Sequence, residues 1–318
     1  MPELPEVEVV RRGLAPAVTG ATVVGIEVKD HRALKRHLPL GGDDREGGHG
    51  VTLSLEAGRT RAADFERRLV GSTLEAPARR GKFMWMPVRG AEQALLAHLG
   101  MSGQLLLRSP EASDDRHVRI RLWLEHAEHG ELRLDFADQR LFGSLAIDSL
   151  LPTVDGAAAG CGTILARLPS QAGRIARDPL DPAFDDAAFI AALRARRGGV
   201  KQALLDQGLV SGVGNIYADE ALWRSKLHPE TPGLAVGPRQ AAALLSHVRE
   251  VFAQALAEGG TSFDEQYVNV NGQAGYFAHS LNAYGRTGEP CPRCGAPIRR
   301  IVIGGRSSHF CPRCQQRR

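Results

Sequence analysis

Four cysteines near the end of the chain restrict its fold more tightly than any other feature. Cys291, Cys294, Cys311 and Cys314 fall in the pattern C-x2-C-x16-C-x2-C, the spacing of a four-thiolate zinc site. Each Cys-x-x-Cys pair offers two sulfurs to one side of an ion, and two pairs complete a tetrahedron. The expected form is a ribbon of two hairpins around one structural Zn2+. Disulfides are the alternative, but the chain has no basic-then-apolar leader. It therefore reads as cytoplasmic, where thiols stay reduced. No apolar run of about 18 residues is present to span a membrane. Cys161, alone in Ala-Gly-Cys-Gly-Thr, reads as a structural thiol.

The charge is uneven. The net +4 sits at this same end, where the stretch from Arg286 to Arg318 holds eight arginines and one acid, Glu289. A basic module on a slightly acidic body points to a polyanion partner, most simply nucleic acid. The chain's 318 residues exceed one typical domain and suggest two with a small appendage.

The start, Met1-Pro2-Glu3-Leu4-Pro5-Glu6-Val7-Glu8, carries a second kind of information. With Met1 removed, Pro2 presents a secondary amine, whose pKa of roughly 8 lies below the roughly 10 of a lysine. Its uncharged form can attack an electrophilic carbon. At a sugar C1′ the product is an iminium with no N–H proton to lose. It stays cationic and acidifies the C2′ protons. Glu3 lies beside it and Glu6 one helical turn on, so one carboxyl group can move protons while another fixes the amine. The structural alternative is an ordinary helix start, with proline first and acids in the first turn.

Periodicity places a helix from Pro2 to about Val18, with Val7, Val10 and Leu14 on one face. Strands are expected at Thr22–Lys29, Phe83–Val88, Ala94–Leu99, Gln104–Arg108, His117–His126, Glu131–Phe136 and Leu145–Ile147, as in a sandwich or barrel. Asp64–Leu69 reads as a short helix, and the glycine-rich stretch 31–50 as a surface loop. Helical patterns follow at Ala187–Arg197, Lys201–Asp206, Asn215–Lys226 and Pro238–Ala257. The long loop 259–281 contains Tyr267, Tyr276 and Phe277. The expected domains are 1–150, a connection at 151–182, a helical domain at 183–283 and the zinc module at 284–318. Within Ser211-Gly-Val-Gly-Asn215, two glycines permit a tight turn and Asn215 suits an N-cap. Backbone N–H groups there form a phosphate site, unless the segment is a plain helix connector.

These residues together resemble the formamidopyrimidine-DNA glycosylases, a family of bacterial base-excision repair enzymes. The resemblance runs nearly end to end. It also takes in Arg80-Gly-Lys82-Phe, His98-Leu-Gly-Met101-Ser-Gly, Asp138-Gln-Arg140-Leu-Phe142-Gly and Tyr284-Gly-Arg286-Thr-Gly-Glu-Pro-Cys291. It implies an α+β chain: an N-terminal helix with an antiparallel β-sandwich, a helix–two-turns–helix domain, and a β-ribbon zinc finger. DNA would bind in the cleft between the two halves.

Pro2 would be the nucleophile at C1′ and Glu3 its acid/base partner, with Lys82 and Arg306 in the catalytic set. Lys82, Asn215, Arg306 and, by its place before Asn215, Lys201 would meet phosphates around the lesion. Glu6 and Tyr276 fall among the DNA-facing residues, Tyr276 in a loop that caps the lesion. Met101, Arg140 and Phe142 match the family's void-filling trio: a flexible apolar side chain, a guanidinium for the widowed base and an aromatic wedge. Core packing is the alternative for Met101 and Phe142.

The implied activity is a glycosylase joined to an abasic-site lyase, taking 8-oxoguanine and formamidopyrimidines from double-stranded DNA by β,δ-elimination. The implied enzyme is a monomer near the nucleoid. The sister enzyme endonuclease VIII, which prefers oxidised pyrimidines, and a non-catalytic DNA-binding relative are the competing readings. Two departures stand out: Gln139 where the family often has proline, and Leu141 where it often has a second basic residue. The stretch 31–50 is longer than in typical members.

Overall fold

A computed structural model describes residues 2–40, 53–261, 270, 273 and 275–317; the stretch 41–50 and Tyr267 lie outside the described residues. The chain forms two units. The first centres on Glu6–Gly173 and includes Pro2; the second holds Glu3–Pro5, Arg174–Thr261 and Tyr276–Arg318.

The first unit begins with helix α1 (Leu4–Val18), whose Val7, Val10, Leu14 and Val18 are buried at three- and four-residue spacing. Nine strands follow: β1 (Thr22–Val28), β2 (Ala78–Arg80), β3 (Phe83–Pro87), β4 (Gln93–His98), β5 (Gly103–Arg108), β6 (Val118–His126), β7 (Gly130–Asp138), β8 (Ser144–Pro152) and β9 (Arg167–Pro169). They form two antiparallel sheets, in the orders β1-β6-β7-β5 and β2-β3-β4-β8-β9. Val23, Ile120, Leu122, Leu134 and Phe136 of the first sheet share one core with Met84, Met86, Leu95, Leu145 and Ile147 of the second. Six of the seven strands expected from alternation fall within a residue or two of those observed; the seventh, expected at Leu145–Ile147, runs on as β8 to Pro152, because the buried Asp148 interrupts its apolar run. β2 and β9 escape the sequence reading because three residues are too few to show a period. β9 pairs with the end of β8, Leu150 opposite Pro169.

Helix α2 (Leu55–Leu69) starts nine residues before the expected Asp64. Its buried face includes Gly58, Arg61 and Asp64 beside Phe65 and Leu69, so apolar periodicity under-reports it. The two polar groups fasten the segment after β1. Arg61 donates to the carbonyls of Leu34 and Lys35, while His37 sits between Asp64 (3.1 Å) and the Ile147 amide (3.2 Å). A second buried polar centre is Glu8, which accepts hydrogen bonds from Arg11, Arg12 and Arg79 of β2. Burial pushes its carboxyl up, but the guanidiniums of Arg11 and Arg79 outweigh that and hold it at about 2.

The second unit is helical: α3 (Asp186–Arg194), α4 (Val200–Leu205), α5 (Asn215–Arg224) and α6 (Pro238–Ala257) pack Leu193, Leu204, Tyr217, Leu222, Leu244, Val248 and Phe252 into one core. Leu4 belongs to that core. The chain ends in the hairpin of β10 (Arg299–Ile303) and β11 (Arg306–Phe310). The second hairpin expected of the ribbon is reduced to a single bridge, Pro290 with Pro297. Two prolines lack the N–H groups needed to extend a ladder. No described helix is long and apolar enough to cross a membrane.

Burial lowers the His37 imidazole from 6.5 to about 4. Between those values the unfolded chain binds a proton there and the folded chain does not, so stability falls as pH drops from 6.5 towards 4. The full effect is about 3 kcal/mol at most. Urea melts across that window should show the decline, and His37→Asn should flatten it. Equal slopes in both proteins would remove His37 as its source.

Candidate functional site

In the second unit the chain's own beginning is seated on a glycine turn. Leu4 N–H donates to the Gly212 carbonyl at 3.1 Å. Gly212 has φ +88°, and a Cβ there would lie 2.5 Å from the Leu4 side chain. The Glu3 side chain is 1% exposed, and its carboxylate accepts the Ile216 amide at 3.0 Å. A Cβ on Gly214 would fall 2.2 Å from that carboxyl carbon. Both glycines therefore make room for the N-terminal segment.

This corrects two expectations about the turn. The N-cap of α5 is Gly214, and Asn215 is the first helical residue. The Ile216 amide is occupied by Glu3, a carboxylate at the positive end of a helix. The Asn215 side chain instead hydrogen-bonds Tyr284, whose phenol burial pushes upward. The Tyr284 ring meets His309 edge-on at 5.0 Å.

Lys201 lies inside the second unit. Its ammonium is buried, donating to Asp219 (2.6 Å), the Ser307 carbonyl (2.9 Å) and the Ser308 hydroxyl (2.8 Å). Asp219 in turn accepts from the His309 amide and ring nitrogen. A lysine so committed ties α4 and α5 to β11. What it fixes is Arg306, which directly precedes Ser307. Arg306 is exposed and follows the two-residue turn Gly304–Gly305. Both glycines have positive φ, +55° and +75°, as a type I′ hairpin requires.

Glu220 is a residue the sequence reading missed. Buried on α5, it accepts the amides of Asn282, Ala283 and Tyr284. The available signal was a pair of adjacent acids, Asp219-Glu220, inside an otherwise apolar helix. Tyr276 is exposed and bridges to Thr261, while Phe277 beside it is buried and stacks on Tyr217 at 5.5 Å.

The four cysteine sulfurs lie within 4.8 Å of one another. A tetrahedral zinc with bonds of about 2.3 Å sets sulfurs roughly 3.8 Å apart, so the set fits one ion. Trp223 Nε1–H donates to Cys291 Sγ at 3.4 Å and the Cys314 amide to Cys311 Sγ at 3.4 Å. Such donors stabilise thiolates in the outer shell of a metal. Among the described residues it is the one cluster of this kind.

In the first unit two loops cross between the sheets side by side. One joins β4 to β5 and carries Met101; the other joins β7 to β8 and carries Arg140 and Phe142. They are adjacent because His98 pairs with Ser144 in one sheet and Gly103 with Asp138 in the other. Buried Asp138 clasps both, accepting from the Ser102 hydroxyl (2.5 Å) and the amides of Arg140 (3.1 Å) and Gly143 (2.7 Å). Gly100, at φ +62°, stands so close that a Cβ would lie 2.4 Å from the Phe142 carbonyl carbon. Met101 is 44% exposed and Phe142 43%, so neither packs into the core. Lys82 occupies a two-residue turn with Gly81 (φ +55°) between β2 and β3, where Arg80 pairs with Phe83. Pro2 and Glu6 are buried, Glu6 in the first turn of α1.

Comparison with known proteins converges on one family. Residues 1–145 match the Formamidopyrimidine-DNA glycosylase N-terminal domain, 175–266 its H2TH domain, and 288–317 a zinc finger found in FPG and IleRS. The chain is 56% identical to the formamidopyrimidine-DNA glycosylase of Leifsonia xyli, over 99% of its own length and 100% of the relative's. It is 52% identical to that of Thermobifida fusca, over 100% and 98%. It is similar to the crystal structure of Lactococcus lactis Fpg with abasic-site DNA, at TM-score 0.76 and 28% identity, covering 99% and 100% of the chains. The same Lactococcus protein, in a complex with oxidised-pyrimidine DNA, gives TM-score 0.76 and 29% identity over the same shares.

Two outcomes follow from this geometry. Gly214→Ala should destabilise the second unit by about 1–3 kcal/mol, the range for an overpacked site, as read by urea melts; an unchanged midpoint would mean the Glu3 seat is loose. Elemental analysis should find about one zinc per chain, and chelation should melt the C-terminal hairpin. An unaltered circular dichroism spectrum after zinc removal would contradict this.

Proposed function

The chain belongs to the formamidopyrimidine-DNA glycosylase family, and we propose that it removes oxidised purines from double-stranded DNA through a covalent bond to Pro2. The activity of the family is base-excision repair of oxidised bases, a DNA glycosylase joined to an abasic-site lyase. The finer reading assigns the steps to this chain's residues.

Pro2, freed of Met1, attacks C1′ as the bond to the base breaks and gives up its N–H proton; cleavage of the C1′–O4′ bond, with a proton delivered to O4′, then opens the sugar and leaves a cationic iminium between the proline nitrogen and C1′. Loss of a C2′ proton expels the 3′ phosphate, and a second elimination expels the 5′ phosphate. Glu3 handles protons at the first step. The observation that supports this most is the Glu3 seat. A buried carboxylate held by the Ile216 amide, directly beside Pro2 in the chain, is preorganised for one task. Its fixed place needs no reorganisation as charge develops.

Phosphate contacts position a duplex without choosing a base. Lys82 and Arg306, each on a tight turn, suit that role and the eliminations, and Asn215 suits phosphate contact through its amide. Glu6 and Tyr276 are assigned to the DNA-facing surface. A target base within the stack must be extruded and its place filled. Met101 and Phe142, exposed on two interlocked loops, suit the filling, and Arg140 suits recognition of the base left behind. Arginine donates to the O2 and N3 acceptors of cytosine, whereas adenine offers one acceptor beside an amino donor. The proposal includes a monomer working in the cytoplasm.

Borohydride should trap the processed protein on 8-oxoguanine DNA, and Pro2→Gly should abolish trapping. Glu3→Gln should lose base excision while keeping cleavage of a preformed abasic site, whose aldehyde already accepts an amine. Equal loss of both activities would make Glu3 structural. Excision of 8-oxoguanine should be faster opposite cytosine than adenine, and Arg140→Ala should reduce that preference. Faster removal of thymine glycol than of 8-oxoguanine opposite cytosine would favour the endonuclease VIII reading.

A further inference from the structure

The loop that carries Arg140 and Phe142 holds a leucine in an unfavourable conformation. Leu141 has φ +56°, one of two non-glycine residues with positive φ among the described residues. A side chain at Cβ crowds the backbone there, and leucine has no local hydrogen bond to offset it. Such a conformation persists only where its surroundings impose it. Gln139 stands where the family often has proline, so the loop has no ring to stiffen it.

Three restraints act on this loop. Asp138 binds its ends through the amides of Arg140 and Gly143. Gly100 abuts the Phe142 carbonyl. Only the third reaches the strained residue itself: Lys35 Nζ donates to the Leu141 carbonyl at 2.5 Å. Lys35 is 7% exposed, and its backbone is fixed from beneath. Arg61 of α2 binds the Leu34 and Lys35 carbonyls, and neighbouring His37 is held by Asp64 and by the Ile147 amide of β8. The segment 34–37 is thus a strut, standing on α2 and β8, with an ammonium at its top.

We propose that Lys35 is a positioning residue for the reaction: by gripping the Leu141 carbonyl it holds the loop in the shape that aims Arg140 and Phe142 into the duplex. The inference rests on the void-filling role given to those two residues above. Burial lowers the lysine's pKa and the charge of Asp138 opposes that shift, so the carboxylate that clasps the loop ends also sustains the cation beneath its middle. The role assigned to Lys35 involves no contact with base or sugar. Its effect belongs to extrusion, and a substrate with no base to extrude should be much less sensitive to it.

The test compares wild type, K35M, K35Q, K35R, L141G and K35M/L141G on duplexes with 8-oxoguanine opposite cytosine and on a preformed abasic site. 2-Aminopurine beside the lesion reports insertion of Phe142 as a rise in fluorescence. K35M and K35Q should slow single-turnover excision about tenfold, the effect of one hydrogen bond to a charged group, and reduce the fluorescence rise. Abasic-site cleavage should fall by less than about threefold, and K35R, which keeps a cationic donor, should recover most of the excision rate. Glycine pays no penalty at positive φ, so in the L141G background K35M should cost no more than about twofold, a coupling only an interacting pair shows. Thermal melts check that each variant is folded. Equal loss on both substrates, or the same tenfold loss with and without L141G, would overturn the positioning role while leaving the glycosylase reading intact. Failure of wild type to excise 8-oxoguanine would instead overturn that reading.

Discussion

Buried carboxylates on and around one ten-residue helix, α5, are the interaction on which the second unit depends. Glu3 caps its start, Asp219 takes Lys201 and His309, and Glu220 takes three successive amides at 282–284. A carboxylate removed from water is costly unless its oxygens are met by donors. Asp219 and Glu220 are met by backbone amides or a paired cation, and Glu3 accepts the Ile216 amide through Oε1. The last turn of the same helix carries Trp223, which donates to Cys291 and lies under the guanidinium of Arg293 at 4.1 Å. One element therefore sets the N-terminal segment, the start of β11 and the metal site. Losing any of its acids would leave a group of stranded donors, which costs more than the hydrogen bonds themselves contribute.

The first unit solves a different problem, the display of apolar side chains to solvent. Met101 and Phe142 stay outside because their loops cannot collapse inward. Asp138 and the close passage of Gly100 against the Phe142 carbonyl fix the backbones, and Lys35 props the crest. The stiffness comes from buried polar groups of the sandwich, and the exposed residues contribute nothing to it. An apolar surface held this way is already ordered, so any binding there would lose less conformational entropy.

Sequence and structure agree where the signal is local or strongly periodic. The four cysteines were legible from spacing alone, α6 from its apolar stripe to the residue, and six of the seven longer strands from alternation, β8 only in its first half. What stayed hidden is long-range and polar. Lys201 reads as a surface cation by composition, and only its placement beside Asp219 and β11 shows that it is internal. Asn215 has the chemistry of an N-cap, but Glu3 from far earlier in the chain supplies the acceptor. Lys35 lies in a stretch with no motif at all, and its partner is a backbone carbonyl, which no residue type announces. The early turns of α2 were missed because glycine and arginine occupy the buried positions 58 and 61, where an apolar stripe is expected.

The seat of Glu3 and Leu4 has a consequence for how the chain is made. These residues are made before Gly212, Gly214 and Ile216, with which they pack, by more than two hundred residues. The sandwich can condense during synthesis, as early domains generally do. The start of α1 must wait with no place to go, its Leu4 without a core. Completion of the second unit is thus the return of an early segment to a turn made late in the chain, so this unit cannot close its core until synthesis has passed α5.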